Sequence, residues 1–402
     1  MAASVRPWPA EAVDGRFRSL DIFRGAAVAL MILVNNPGSW DHLYPPLAHA
    51  TWHGVTPTDL VFPFFLFAVG NALALALPAL RDDPAAFWRR VGRRTALIFA
   101  LGLLLNASPF VRWNAAGELV PRDWATLRLM GVLQRIALAY GAAAVIVWLC
   151  GRGARVAPVL AAAAALLLGY WAACLAFGAP GDPYSLTGWF GTAVDRALLG
   201  ESHLYRGEGR PFDPEGLAST APAVAQVLLG WWAGRTVAAA PRDASLVARL
   251  LLWATALLAL AWLWQLQLPM NKKIWTPSYV LHTSGLALMA LAVCLHWVEL
   301  RGRPAELWGW ARFLEVFGRN PLFVFVLSVL VPRCLALLRW RDGVTADGAP
   351  RWTSPLPWAY ETIFTGIGSD PRLGSLLFAC ANLALYGALA GWLDRRRIHL
   401  RV

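Results

Sequence analysis

The sequence predicts an all-α, polytopic integral membrane protein. Three observations carry that prediction. Hydrophobic residues make up 58% of the chain and charged residues 15%, against roughly 45–50% and about 25% in soluble domains. The mean hydropathy is +0.49. The apolar residues gather into ten blocks, most close to the roughly 20 residues that a spanning helix needs.

The first block, 19–36, follows Arg16 and Arg18, holds Asp21 and Arg24, and ends in Asn35–Asn36. No small-residue cleavage pattern follows it, so it is expected to be an uncleaved signal anchor. The second, 57–79, opens on Pro57 and is dense in phenylalanine. The third, 94–110, is short and trails the basic run 81–94. The fourth, 128–150, contains Gln134 and Arg135. The fifth, 157–177, is alanine-rich, and the sixth, 219–238, follows Asp213 and Glu215. The seventh and eighth, 247–267 and 276–298, flank Lys272–Lys273. The ninth, 313–332, is interrupted by Arg319–Asn320. The tenth, 373–394, runs into a last basic cluster, Asp394–Arg397.

Cytoplasmic loops carry an excess of arginine and lysine. Placing the N-terminus inside puts the basic runs at 81–94, 151–155, 301–303 and 394–397 on that side. About ten helices then return both termini to the cytoplasm. The chain divides into a cytoplasmic segment 1–18, one transmembrane domain 19–394 and a cytoplasmic tail 395–402. Segments of about 37–56, 178–218 and 333–372 face outward. Connections this long are usually functional or partly folded, and here they are expected to cap an outward-facing cavity.

The net charge of +12 does not mark a nucleic-acid binder, because the arginines are scattered between apolar blocks rather than collected on one polar face. The five cysteines, Cys150, Cys174, Cys294, Cys334 and Cys380, form no CxxC pair. They indicate neither disulfides nor a metal site.

Ionisable and amide groups within or beside spanning segments are functional candidates by default. His49 and His53 stand beside Asn35, Asn36 and Asp59. His49 is either a histidine that tolerates the interface or a proton-transfer group, since histidine titrates near neutrality. The i, i+4 spacing of the two histidines also admits zinc, but Gly54 and the nearby prolines oppose a helix and no HExxH or cysteine partner appears. Asp21–Arg24 is a structural ion pair or places Arg24 as a phosphate anchor. Arg135 is a buried structural charge or an anion ligand. Lys272 and Lys273 are the only lysines among 36 basic residues, so one of them is a candidate for a specific need. Asp213 and Glu215 either cap the sixth helix or contact a polar substrate such as a sugar.

Seven motifs in order, SLDIFRG, VNN, HATWHGVTPTDLVFPFFLFAVG, GVLQRIALAY, FDPEGLAST, PMNKKIWTPSYV and GRNPLFVF, resemble the transmembrane acyltransferases related to heparan-α-glucosaminide N-acetyltransferase. The likeness runs from about Arg16 to Leu393. It implies acetyl transfer from cytosolic acetyl-CoA to a glucosamine-type sugar across the membrane, without a metal. The family's catalytic histidine corresponds to His49, and its asparagine at the end of the preceding helix to Asn35.

On that resemblance His49 takes the acceptor proton, by direct transfer in a ternary complex or through an acetyl-histidine. Asn35 supports the oxyanion or fixes the reacting groups. Asp59 orients a histidine or caps helix two. The donor is expected near Arg24, Arg93, Arg94, Gln134 and Arg135. The acceptor is expected among Asn36, Trp52, His53, Asp213, Glu215, Asn271, Lys272, Lys273 and Asn320.

His53 stands where the family often has asparagine. The luminal extension of the eukaryotic lysosomal members has no counterpart in the sequence. The expected home is therefore a bacterial inner membrane, with a free amino sugar or a surface glycan as acceptor. Dimers are common in the family, although no residue here marks one. A different class, a membrane transporter of amino sugars, also fits many helices with buried polar groups. The paired, Gly/Pro-interrupted helices frequent in transporters are not seen.

Overall fold

The computed structural model describes residues 17–80, 82–114, 116–150, 155–301, 309–345 and 348–400. The segment 1–16, basic positions 81 and 151–154, most of 301–303 and the end of the tail lie outside the described residues.

Helices dominate. They are α1 (Arg18–Asn35), α2 (Val61–Ala76), α3 (Pro84–Ala107), α4 (Val132–Leu149), α5 (Val156–Phe177), α6 (Gly191–Leu199), α7 (Thr220–Ala239), α8 (Ala244–Trp264), α9 (Pro277–Leu295), α10 (Gly309–Arg319), α11 (Pro321–Leu335), α12 (Pro355–Ala359) and α13 (Pro371–Arg395). Two antiparallel hairpins, β1 (Val111–Trp113) with β2 (Leu119–Pro121) and β3 (Trp340–Val344) with β4 (Pro350–Thr353), lie in the connections.

All ten apolar blocks are helical, with two differences from the sequence reading. α3 begins at Pro84, so Arg89, Arg90, Arg93 and Arg94 are helical rather than loop residues. Proline is preorganised for the first helical position, and the Asp83 side chain caps the turn by accepting from the Ala86 N–H. The ninth block is two helices, α10 and α11, meeting at 85°. The break falls at Asn320, where Pro321 has no N–H with which to continue α10.

Among the described residues, six helical segments are long and apolar enough to cross a membrane, or seven if the bent α10–α11 pair is one span. This is fewer than the ten expected. α1 carries Arg18, Asp21 and Arg24, α3 carries four arginines, and α7 carries Gln226 and Arg235 among small residues, so none of these three is apolar throughout. The expected outer segments hold their own structure: α6 within 178–218, and β3, β4 and α12 within 333–372.

α7 is buried over almost its whole length and forms the centre, packed on α2, α4, α5 and α9. Glycines set its closest approach to α2. A Cβ on Gly70 would sit 2.1 Å from the Val227 carbonyl oxygen, and one on Gly230 would sit 2.2 Å from that of Phe67. Small residues that let backbones approach are the usual device of membrane helix pairs. α5 and α8 are peripheral and leave most of their apolar surface outside the protein.

A charge network closes one end of the bundle. Glu315 accepts from Arg18, Arg312 and Arg319, and Asp394 pairs with Arg312 and Arg319. The site residues gather mainly at the opposite end.

Candidate active site

Residues 45–60 build the first wall. The 3₁₀ turn Pro57–Leu60 starts with a capping box between Thr56 and Asp59. Asp59 Oδ2 accepts from the Thr56 and Ala50 backbone N–H groups at 3.0 and 3.1 Å. Its other oxygen, Oδ1, lies 2.7 Å from His49 Nδ1. One buried carboxylate therefore both caps helix two and orients the histidine. An ionised carboxylate only accepts, so Nδ1 carries the proton and Nε2 is the basic nitrogen. The His49 side chain is 42% exposed, whereas that of Asp59 is 1% exposed.

The second wall is the connector between α8 and α9. Asn271 is buried and structural: its Oδ1 accepts from the Lys273 and Ile274 N–H groups at 2.8 and 3.1 Å. That turn presents Lys272 Nζ 3.0 Å from His49 Nδ1, 3.4 Å from Nε2 and 3.3 Å from Asp59 Oδ1. Burial pushes the Lys272 pKa down, against the upward pull of Asp59 and Glu215. Lys273 pairs with Glu208 at 2.7 Å and lies over the Trp52 ring.

The third wall comes from Arg128, in the extended lead-in to α4. Its guanidinium binds both oxygens of Asp213, at 2.6 and 2.9 Å, and also bonds Glu215. It lies 4.7 Å from the Tyr205 ring centre. Burial opposes its charge, but Glu215 and Asp213 outweigh it and raise the arginine's pKa. Nothing in the spacing of the sequence linked Arg128 to carboxylates 85 and 87 positions downstream.

Three cavities relate to these walls. A central cavity of about 390 Å³ is lined by Asn35, His49, Arg128, Gln134, Glu215 and Lys272, among others. A side lobe of about 330 Å³ has His49, Arg128, Glu215 and Lys272 in common with it and adds Trp52, Tyr205, Glu208 and Lys273. Trp52 is pinned there, its Nε1 donating to the Tyr184 carbonyl at 2.9 Å. A far cavity of about 500 Å³ lies at the other end of the same helices, lined by Arg24, Asn71, Arg94 and Arg319. From Arg24 to Asn35 along α1 is about 16 Å at 1.5 Å per residue.

Two buried carboxamides face these spaces without full partners. Asn71 has neither amide atom bonded, and the Gln134 Nε2 is also unpartnered. Such groups are rare in a finished core and suit a bound chain of polar groups.

The remaining candidates lie elsewhere. Asn36 donates back to the Ile32 carbonyl of its own helix. Asn320 bonds Ile398 and Leu400 at the charged end. Arg135 is fully buried, bonded to Ser219 and the Gly216 carbonyl and set against Trp275, and lines no cavity described here. Arg93 is exposed and lines none of the three. His53 is exposed, near Asn271 and edge-on to Trp52, and likewise lines none of them. Arg333, Asn106 and Tyr205 join the linings without having been singled out in the sequence. Among the described residues, no group of three or more His, Cys, Asp or Glu side chains is placed to hold a metal ion.

A family model described as heparan-alpha-glucosaminide N-acetyltransferase, catalytic, matches residues 16–270. The chain belongs to that family. It is similar to the heparan-alpha-glucosaminide N-acetyltransferase of Homo sapiens, 28% identical over 377 residues, covering 79% of this chain and 53% of the relative. The protein of that name from Mus musculus is 26% identical over 379 residues, covering 81% and 55%. The chain thus spans about half the length of these curated relatives. The matched region contains His49, Asp59, Arg128 and Glu215, while Lys272 falls just beyond it.

Proposed function

We propose that this protein is a membrane-embedded acetyltransferase that moves an acetyl group from acetyl-CoA to an amino sugar or related saccharide, with His49 as general base. The observation that carries the reading is the wall common to two cavities. His49, its Nδ1 engaged by Asp59, lines both the central cavity and the aromatic side lobe. A base at that junction serves a donor held on one side and an acceptor held on the other.

The side lobe suits a saccharide. Trp52 and Tyr205 offer flat apolar faces, and Glu208, Glu215 and Lys273 offer charged hydrogen-bonding groups. The far and central cavities suit the donor. Arg24 forms the structural ion pair with Asp21 and donates to the Gly318 carbonyl, yet with Arg94 it lines the far cavity, and guanidinium groups there would pair well with phosphates. Unpartnered Asn71 and Gln134 match the amides of a pantetheine arm running along α1 toward His49. The Asn35 side chain makes no hydrogen bond among the described residues and lines the central cavity, where it holds the acetyl carbonyl. The favoured chemistry is direct transfer in a ternary complex: His49 Nε2 takes the acceptor proton as the new bond forms.

The membrane arrangement belongs to the same proposal. Ten spans, with α1, α3 and α7 included despite their polar residues and the bent α10–α11 pair taken as one, put both termini and the far cavity on the cytoplasmic side. The His49 end then opens to the periplasm of a bacterial inner membrane.

The test is CoA release by purified protein given acetyl-CoA and a panel of amino sugars. Sugar-dependent release is expected, falling by about 100-fold or more in His49→Ala, the range of a positioned acid–base group. Mass spectrometry of the product identifies the acetylated atom. A folded wild type that neither binds acetyl-CoA nor releases CoA would overturn the enzyme and leave transport as the reading to test.

A further inference from the structure

We propose that Lys272 is a catalytic residue, whose ammonium donates a hydrogen bond to the oxyanion formed at the acetyl carbonyl. The inference rests on the acyltransferase reading and gives a new role to a lysine of the PMNKKIWTPSYV motif, two residues past the end of the family model at residue 270.

Three observations converge on this lysine. Its Nζ contacts both members of the base unit, His49 at 3.0 Å and Asp59 at 3.3 Å. It lines the central cavity and the side lobe together, so it stands where the two substrates meet. It is also one of only two lysines in a chain that uses arginine 34 times. A guanidinium is a broad planar fork, whereas an ammonium is a compact point charge with three rotatable donors. Asp59 accepts from one of those donors, the protonated His49 Nδ1 accepts from none, and a remaining N–H is available to a developing negative oxygen.

The acceptor's neutral amine attacks the thioester carbonyl carbon, and the C–N bond forms. The carbonyl π electrons move to oxygen, where Lys272 and Asn35 hold the oxyanion. His49 Nε2 takes the proton from the amine. Collapse restores the carbonyl and breaks the C–S bond, and the CoA sulfur leaves with the proton from His49. Preorganised donors aimed at developing charge are usually the largest single contribution to acyl transfer.

The charged groups facing Lys272 are Asp59 and His49 from the 45–60 wall, Glu215 and Arg128 across the cavity, and Lys273 beside it. The net effect on its pKa is downward, because burial outweighs Asp59 and Glu215. The ammonium is therefore lost at a lower pH than that of an ordinary lysine, and activity is expected to fall on the alkaline side as it goes.

Two measurements test this. In the first, Lys272→Met is expected to lower kcat about 100- to 1,000-fold with acetyl-CoA affinity within about threefold. Lys272→Arg is expected to recover only part of that loss, because the planar guanidinium fork does not fit where a compact ammonium does, and to abolish the alkaline limb of the activity that remains, since arginine stays charged. A raised KM with unchanged kcat would make Lys272 a substrate anchor and overturn the proposal, as would an alkaline limb that persists in Lys272→Arg.

The second measurement needs no turnover and no stable methionine variant. Wild-type protein grown with [ε-13C]lysine has only two labelled side chains, assigned through Lys273→Arg. Adding S-acetonyl-CoA, a ketone that cannot transfer its acyl group, is expected to shift the Lys272 resonance and leave that of Lys273 in place. Binding of that ketone, seen by calorimetry, with no shift at Lys272 sinks the oxyanion role while the acyltransferase stands. No binding of any CoA ligand removes the acyltransferase, and the role of Lys272 falls with it.

Discussion

At the scale of single residues, the site depends on one carboxylate with two duties. Asp59 holds the His49 Nδ1 proton and ties the residue 45–60 wall through the Ala50 and Thr56 backbone. Asp59→Asn preserves shape but can present its amide N–H to Nδ1, which stabilises the wrong tautomer and takes the proton onto Nε2. The expected result is a fall in kcat of about 1,000-fold or more, a small change in acceptor KM and a thermal midpoint near that of wild type. Steady-state kinetics with a melting curve checks it. His49, Asp59 and Lys272 were legible in the sequence, because the first two share one short motif and the third is compositionally odd. Arg128 was not. Its partners lie far along the chain, and no local pattern joins a cation to carboxylates across a fold. Side-chain direction was equally hidden: Asn35 and Asn36 are neighbours, yet Asn35 lines the central cavity while Asn36 turns back to its own helix.

At the scale of elements, the segment 178–218 is anchored by α6. Asp195, on that helix, is fully buried and accepts from the Leu217 and Ala218 N–H groups at 2.8 and 3.2 Å. Those bonds hold the turn that carries Asp213 and Glu215. Burial pushes the Asp195 carboxyl from the ordinary 3.8 to about 6. A carboxyl raised by folding contributes stability below its unfolded pKa, and that contribution is lost as pH rises through the folded value. Stability is therefore expected to be higher at pH 5 than at pH 7.5 by about 1.4 kcal/mol, with a correspondingly higher thermal midpoint. Asp195→Asn should flatten that part of the dependence, and tryptophan fluorescence melts across pH would read it. Helix existence was legible here, since ten apolar blocks became helices. The early start of α3 and the 85° break before α11 depended on capping and proline geometry at single positions, which hydropathy averages away.

At the scale of the whole molecule, the helices that line the His49 cavity at one end present arginines at the other. Arg94 lines the far cavity with Arg24, and its Nε has no hydrogen-bond partner. Arg94→Gln is expected to weaken acetyl-CoA binding about tenfold or more, the loss of one charge-assisted hydrogen bond of about 1.5–3 kcal/mol. kcat at saturating donor should stay near wild type, because the residue lies far from His49. Titration calorimetry beside saturation kinetics separates the two. The membrane character of the chain was legible from composition alone, whereas the number of spans was not, because α1, α3 and α7 mix charged or polar residues with apolar surface.

The wall common to the two cavities has a thermodynamic consequence. His49, Arg128, Glu215 and Lys272 face both spaces, so a molecule settling in one resets the electrostatic surroundings of the other. Linkage makes that influence reciprocal. Whatever factor a filled central cavity imposes on affinity in the side lobe, a filled side lobe returns unchanged, and the two occupants behave as a cooperative pair.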